Sequence, residues 1–145
     1  TGTPSIVLGI STSPPAPQGW VEGKLVPTRA SRAGLRGQTL FFGKAACARC
    51  HPAPYYTDNL MHNLKTERFY TPRMVNGRMA NADGPIKTVP LRGLKNSTPY
   101  LHDGRAATLD DAIRLHDGEA RRARDIYLHL SEQQRQQLLA FLHTI

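Results

Sequence analysis

The run Cys47-Ala-Arg-Cys50-His51 constrains this chain more than any other feature. A C-x-x-C-H run places two thiols where they add across the vinyl groups of a haem, and sets the adjoining imidazole on the iron from the proximal side. Three other uses of such cysteines lack support here. A zinc cage wants a second cysteine pair, and the sequence has none; a thioredoxin-like dithiol wants a βαβ pattern around it, and none is present. A structural disulfide would leave His51 unexplained. The expectation is one covalent haem c held by Cys47 and Cys50, with His51 as proximal ligand.

At 145 residues the chain is long enough for one domain wrapped around a cofactor. Both cysteines lie inside the motif, so the redox compartment follows from cytochrome maturation, which points to a periplasmic or otherwise exported protein. The longest apolar run near the start, residues 6–10, is far too short to cross a bilayer, and Thr1 reads as the start of a mature or trimmed chain. The formal charge of +8 predicts attraction to an acidic redox-partner protein. A nucleic-acid reader would carry a recognisable motif or basic residues interleaved with aromatics, and neither is present. The densest basic cluster, Arg121, Arg122 and Arg124, reads as a solvated helix face.

Residues 1–30 are rich in proline and glycine and read as an extended arm, with Trp20 as its anchor; residues 31–145 read as the haem domain. Ser31 caps an expected helix through Phe41, in which Gly37 and Phe41 share a face. Residues 52–100 are broken by prolines and glycines into loops. Met61, Leu64, Phe69, Met74, Met79, Val89 and Leu91 are the apolar groups with which those loops could line a haem. Thr108 caps the next helix, where Leu109, Ala112, Ile113 and His116 fall at i, i+3, i+4 and i+7. A further helix from about Glu119 to Leu128 precedes the last, opened by a Ser131/Gln134 capping box and carrying Leu138, Phe141, Leu142 and Ile145. The expected fold is all-α and cytochrome c-like.

The distal side of the iron is less determined. His116 is the first candidate, because it follows the apolar stripe of its helix. Met79 and Met74 are competent alternatives, since a thioether also ligates haem iron and raises its potential. An open iron is the last possibility. Arg92, with its planar fork, suits a haem propionate better than Lys87 or Lys95. His62, His129 and His143 receive no role.

Several phrases together resemble the C-terminal haem domain of the bacterial di-haem cytochrome c peroxidase and MauG family. They are Phe42-Gly-Lys-Ala-Ala-Cys-Ala-Arg-Cys-His51, Tyr56-Thr-Asp-Asn59, Met61-His-Asn63, Gly84-Pro-Ile-Lys-Thr-Val-Pro-Leu-Arg-Gly93, Thr98-Pro-Tyr-Leu-His-Asp-Gly104 and Thr108-Leu-Asp-Asp111. The likeness spans about residues 34–145, and His116-Asp-Gly-Glu-Ala120 resembles a phrase of the related di-haem oxidoreductases. The resemblance implies that His102 lies near the haem edge, within reach of a propionate, and that the carbonyls of Ser97 and Pro99 match positions that help hold calcium in the peroxidases; no acidic cage accompanies them. It also implies that the position of His116 is the distal one, methionine in peroxidases and tyrosine in MauG, so that histidine would give a bis-histidine iron. Family enzymes carry two attachment motifs, whereas this sequence carries one. The matching domain is the one that accepts an electron and passes it on. The chain is therefore expected to be an electron-transfer module or subunit, or else the C-terminal part of a peroxidase-type enzyme whose catalytic haem lies on another segment or chain.

Overall fold

The computed structural model describes residues 20–21, 23–25, 31–66, 73–80 and 84–145, with the backbone alone at 20, 21, 73, 75 and 78–80. Its frame is a crossing of two helices far apart in sequence. The first, α1 (Arg32–Phe42), starts where the Ser31 hydroxyl accepts the Gly34 N–H at 3.0 Å. The last, α4 (Glu132–Leu142), starts at a complete capping box, with Ser131 and Gln134 each satisfying the other's backbone N–H at 3.1 Å. They cross at Gly37: a β-carbon there would lie 1.9 Å from the Gln137 carbonyl oxygen, so only glycine permits the approach.

That approach lets an aromatic cluster close around the crossing. Phe41 meets Phe141 at 5.2 Å and Tyr56 at 5.7 Å between ring centroids, and all three are buried with Leu138. Each such side chain stabilises the fold by roughly 1.5–3 kcal/mol through removal from water. The far end of α4 is tied to a loop, for the Gly93 and Leu94 N–H groups both donate to the Ile145 carbonyl at 3.1 and 3.2 Å.

Between these helices lie α2 (Leu109–Leu115), capped by Thr108, and α3 (Arg121–His129), reached through a short 3-10 turn over Gly118–Ala120. The Tyr127 hydroxyl on α3 donates to the Asp110 carboxylate on α2 at 2.5 Å, joining the pair. Leu109 and Ala112 are buried, in keeping with the stripe seen in the sequence. His116 differs in one respect: it is the first residue past α2, with extended backbone (φ −61°, ψ 133°), because the next N–H, that of Asp117, donates to the Leu64 carbonyl at 3.1 Å outside the helix.

The helical frame carries three small antiparallel pairs that alternation in the sequence had not indicated. They are β1 (Trp20–Val21) with β2 (Lys24–Leu25), β3 (Met61–His62) with β6 (Ile86–Lys87), and β4 (Arg73–Val75) with β5 (Arg78–Ala80). Residues 20–25, the end of the expected arm, are joined to α1: Gln38 exchanges hydrogen bonds with the Leu25 backbone at 2.7 and 3.2 Å, and Leu25 is buried. The Trp20 side chain, residues 1–19 and Phe69 lie outside the described residues. Among those described, no helix is long and apolar enough to cross a membrane.

Candidate haem site

The motif is delivered by the end of α1. After Gly43 the chain turns, Ala46 takes a left-handed conformation (φ 59°), and Cys47–Arg49 wind into a 3-10 turn. That turn continues through the Cys50 and His51 N–H groups, which both donate to the Cys47 carbonyl at 3.3 and 3.0 Å. Both thiols are free. Burial pushes the Cys47 thiol up to about 12, and burial together with the Asp58 and Glu119 charges raises Cys50. A redox dithiol needs a lowered pKa, and this pair has the opposite.

Two imidazoles share one arrangement. His51 donates from Nδ1 to the Tyr56 carbonyl at 2.8 Å, and His116 donates from Nδ1 to the Ala112 carbonyl at 2.7 Å. A carbonyl can only accept, so each neutral ring carries its proton on Nδ1 and leaves Nε2 unprotonated, the form a metal ligand needs. Burial, with a smaller contribution from the His116 charge, drives His51 down to about 4 against the pull of the Tyr56 carbonyl. Burial likewise lowers His116 against the Ala112 hydrogen bond. Both are neutral at neutral pH, and a charge on His116 would be felt at His51. A hydrogen bond to the carbonyl four residues back is not in itself diagnostic, since the exposed His129 and His143 make it too, at 2.7 and 3.1 Å. What separates His116 from those two is its desolvation, together with the electrostatic influence it has on His51. Two thiols outside any disulfide and two neutral imidazoles with unprotonated Nε2 atoms form a donor set that fits a haem c.

The other candidates are placed as follows. Arg92 is exposed and donates from Nε and Nη2 to the Pro54 carbonyl at 3.3 and 3.0 Å, just beyond the motif. His102 is exposed, as are Ser97 and Pro99, with the Ser97 hydroxyl donating to the Gly93 carbonyl at 2.8 Å. Met74 is 61% exposed and pairs in register with Met79, whose side chain lies outside the described residues. Met61 and Val89 are also large apolar groups that the chain's own core leaves uncovered.

Two residues near the motif went unassigned in the sequence. Tyr56 orients His51 through its carbonyl while its buried ring joins the aromatic cluster and its hydroxyl donates to the Gly23 carbonyl. His62 bridges two carboxylates, Asp58 at 2.7 Å and Glu119 at 3.1 Å. The phrases containing them carried the resemblance, but their individual contacts could not be read from composition or spacing.

Residues 22–145 match the family model of the di-haem oxidoreductases. The chain belongs to that family. The chain is 32% identical over 123 residues to the methylamine utilization protein MauG of Methylorubrum extorquens, covering 76% of this chain and 33% of that protein. It is 28% identical over 151 residues to a cytochrome-c peroxidase of Pseudomonas sp. (strain SCT), covering 81% and 40% respectively. Its fold is shared with a MauG-like protein associated with microbial copper homeostasis (TM-score 0.59, 27% identity, 80% of this chain and 47% of that one). It is shared as well with a chain of Kuenenia stuttgartiensis hydrazine synthase (TM-score 0.59, 25% identity, 79% and 46%). Membership of the family gives the chain a haem-binding redox function and a cytochrome c-like helical fold. The chain spans a third to two fifths of the length of these curated relatives.

Proposed function

We propose that this chain is an exported electron-transfer domain holding one haem c through Cys47 and Cys50, with His51 and His116 as its axial ligands. The observation that carries this reading is a pair of desolvated, neutral imidazoles, His51 and His116, each donating from Nδ1 to a backbone carbonyl, in a chain whose two motif thiols are not joined in a disulfide. When bound, the haem supplies a one-electron couple. The chain's own residues fasten it, orient both ligands and keep them neutral, while Arg92 and His102 serve its propionates. A cleft of about 610 Å³ lined by Lys44, Arg121, Arg122 and His129, together with Glu119 and Asp125, supports an acidic electron partner, as does the net charge of +8.

A second reading has its own support. The family is di-haem and the chain spans less than half of its relatives, which favours a role as the electron-relaying domain of an oxidoreductase whose catalytic haem is on another segment or chain.

One set of measurements tests both. Acid–acetone extraction is expected to leave one haem per chain with the protein, and the purified chain is expected to turn over peroxide poorly with an ordinary electron donor. Haem passing into the organic layer would refute covalent attachment. Rapid peroxide turnover by the chain alone would refute the electron-transfer reading, and turnover restored only by a second haem-bearing chain would select the alternative.

A further inference from the structure

The His62 bridge joins the two loops that flank the candidate site. Asp58 is fastened on the motif side, its N–H donating to the Cys50 carbonyl at 2.8 Å and its Oδ1 accepting the Leu60 N–H at 2.9 Å. Glu119 is fastened on the other side, three residues beyond His116. There the loops are joined twice: the Glu119 N–H donates to the Asn63 carbonyl at 2.9 Å, and the Asn63 N–H donates to the Glu119 carboxylate, at Oε2, at 2.5 Å. Asp117 adds its own N–H to the Leu64 carbonyl at 3.1 Å. Gly118 allows this closeness, for a β-carbon there would lie 2.2 Å from the Asn63 carbonyl oxygen. His62 completes the contact by giving one ring nitrogen to each carboxylate.

Cys50, Asp58 and His62 also bring ligand atoms within 4.8 Å of one another. That grouping is a poor cation site, because both His62 nitrogens are engaged with carboxylates and the Cys50 sulfur is committed to the haem.

We propose that His62, bridged between Asp58 and Glu119, is a positioning residue that clamps the 117–119 loop onto the 58–65 loop and so holds His116 in place opposite His51. The proposal rests on the assignment of His116 as distal ligand. The clamp acts at the point where α2 has already ended: the Asp117 N–H leaves the helix for the Leu64 carbonyl. Loosening it lets His116 leave the iron more often.

The test uses the full chain with haem attached and reads the rate of cyanide binding to the oxidised protein, alongside thermal melting. His62→Ala and Glu119→Ala are expected to bind cyanide about tenfold faster, the scale on which partners of metal ligands act. Glu119→Gln keeps an acceptor for the Asn63 N–H but turns an NH2 toward His62, and is expected to bind cyanide at a rate between those of wild type and Glu119→Ala. Gln38→Ala, which cuts the α1 contact to Leu25 outside the clamp, is expected to lower the melting temperature without changing the cyanide rate. Wild-type rates in His62→Ala and Glu119→Ala, where His116→Gly does open the iron, overturn the clamp and leave the ligand assignment standing. An unchanged spectrum in His116→Gly overturns both. An equal rise in Gln38→Ala shows general loosening and overturns the clamp.

Discussion

Gly37→Ala tests the helix crossing on which the placement of the motif depends, and two effects of opposite sign bear on it. As a helix substitution it should stabilise α1 by about 1 kcal/mol, because alanine has the higher helical propensity. As a packing substitution it should do harm. The new methyl would lie 1.9 Å from the Gln137 carbonyl oxygen, 2.6 Å from the Gln137 carbonyl carbon and 2.8 Å from the Phe141 β-carbon. None of these can swing aside, since two are backbone and the third is anchored to it. An ordinary carbon–oxygen contact is about 3.3 Å, so the helices must part by more than an ångström. Parting them loosens Phe41, Phe141 and Leu138, all fully buried. Overpacking of this kind costs up to about 3 kcal/mol, which leaves a net loss of about 2 kcal/mol after the propensity gain. In a domain of this size that lowers Tm by roughly 4–8 °C. Guanidinium unfolding of the haem-loaded protein measures it, with the midpoint falling at constant slope. A variant as stable as wild type, or more stable, would refute the close crossing, because propensity alone predicts a gain.

Three further outcomes are expected. His116→Met should keep the iron low-spin and raise its potential, and His116→Gly should admit carbon monoxide; a methionine charge-transfer band in the wild-type near-infrared spectrum rejects His116 as ligand. Ser131→Ala should lower stability by about 1 kcal/mol in denaturant titration through loss of the capping box of α4, and no change would mean that the cap is redundant. Burial opposes ionisation of Asp58, but the Leu60 N–H, the His62 ring and Thr88 outweigh it and bring its pKa from 3.8 to about 2. Its stabilisation is therefore complete above pH 3.8 and lost as pH falls through about 2, so Asp58→Asn should flatten the acid limb of the stability curve there; parallel curves would refute it.

The parts of the fold legible in the sequence are those written locally. Ser31, Thr108 and Ser131 each begin a helix because a side-chain oxygen satisfies an N–H three residues on, and the capping box of Ser131 and Gln134 is a four-residue signal. Gly37 and Phe41 could be put on one face because they stand four residues apart on a helix, although the helix that crosses there, 100 residues on, could not. The strand pairs could not be read in this way. Met61 pairs with Lys87 and Trp20 with Leu25 over two residues each, too short for any alternation to register. The end of α2 was also displaced by a distant partner: the Leu64 carbonyl takes the Asp117 N–H, and His116 leaves the helix one residue before the periodicity alone would have released it.

In the candidate site the same division has a chemical cause. The C-x-x-C-H run is legible because covalent attachment demands particular atoms at a fixed spacing, so the residue types themselves are the signal. Tyr56 orients His51 with a carbonyl oxygen, which every residue possesses, and nothing in its side chain announces that use. His62 is a different case. Its ring is bound to Asp58 four residues back and to Glu119, 57 residues on, and the four-residue spacing would carry meaning only on a helix, whereas residues 58–62 are loop and strand. The apolar stripe of α2 pointed to His116 from within one element. The residues that hold its loop in place come from another, and only the meeting of the 58–65 and 117–119 segments brings them together.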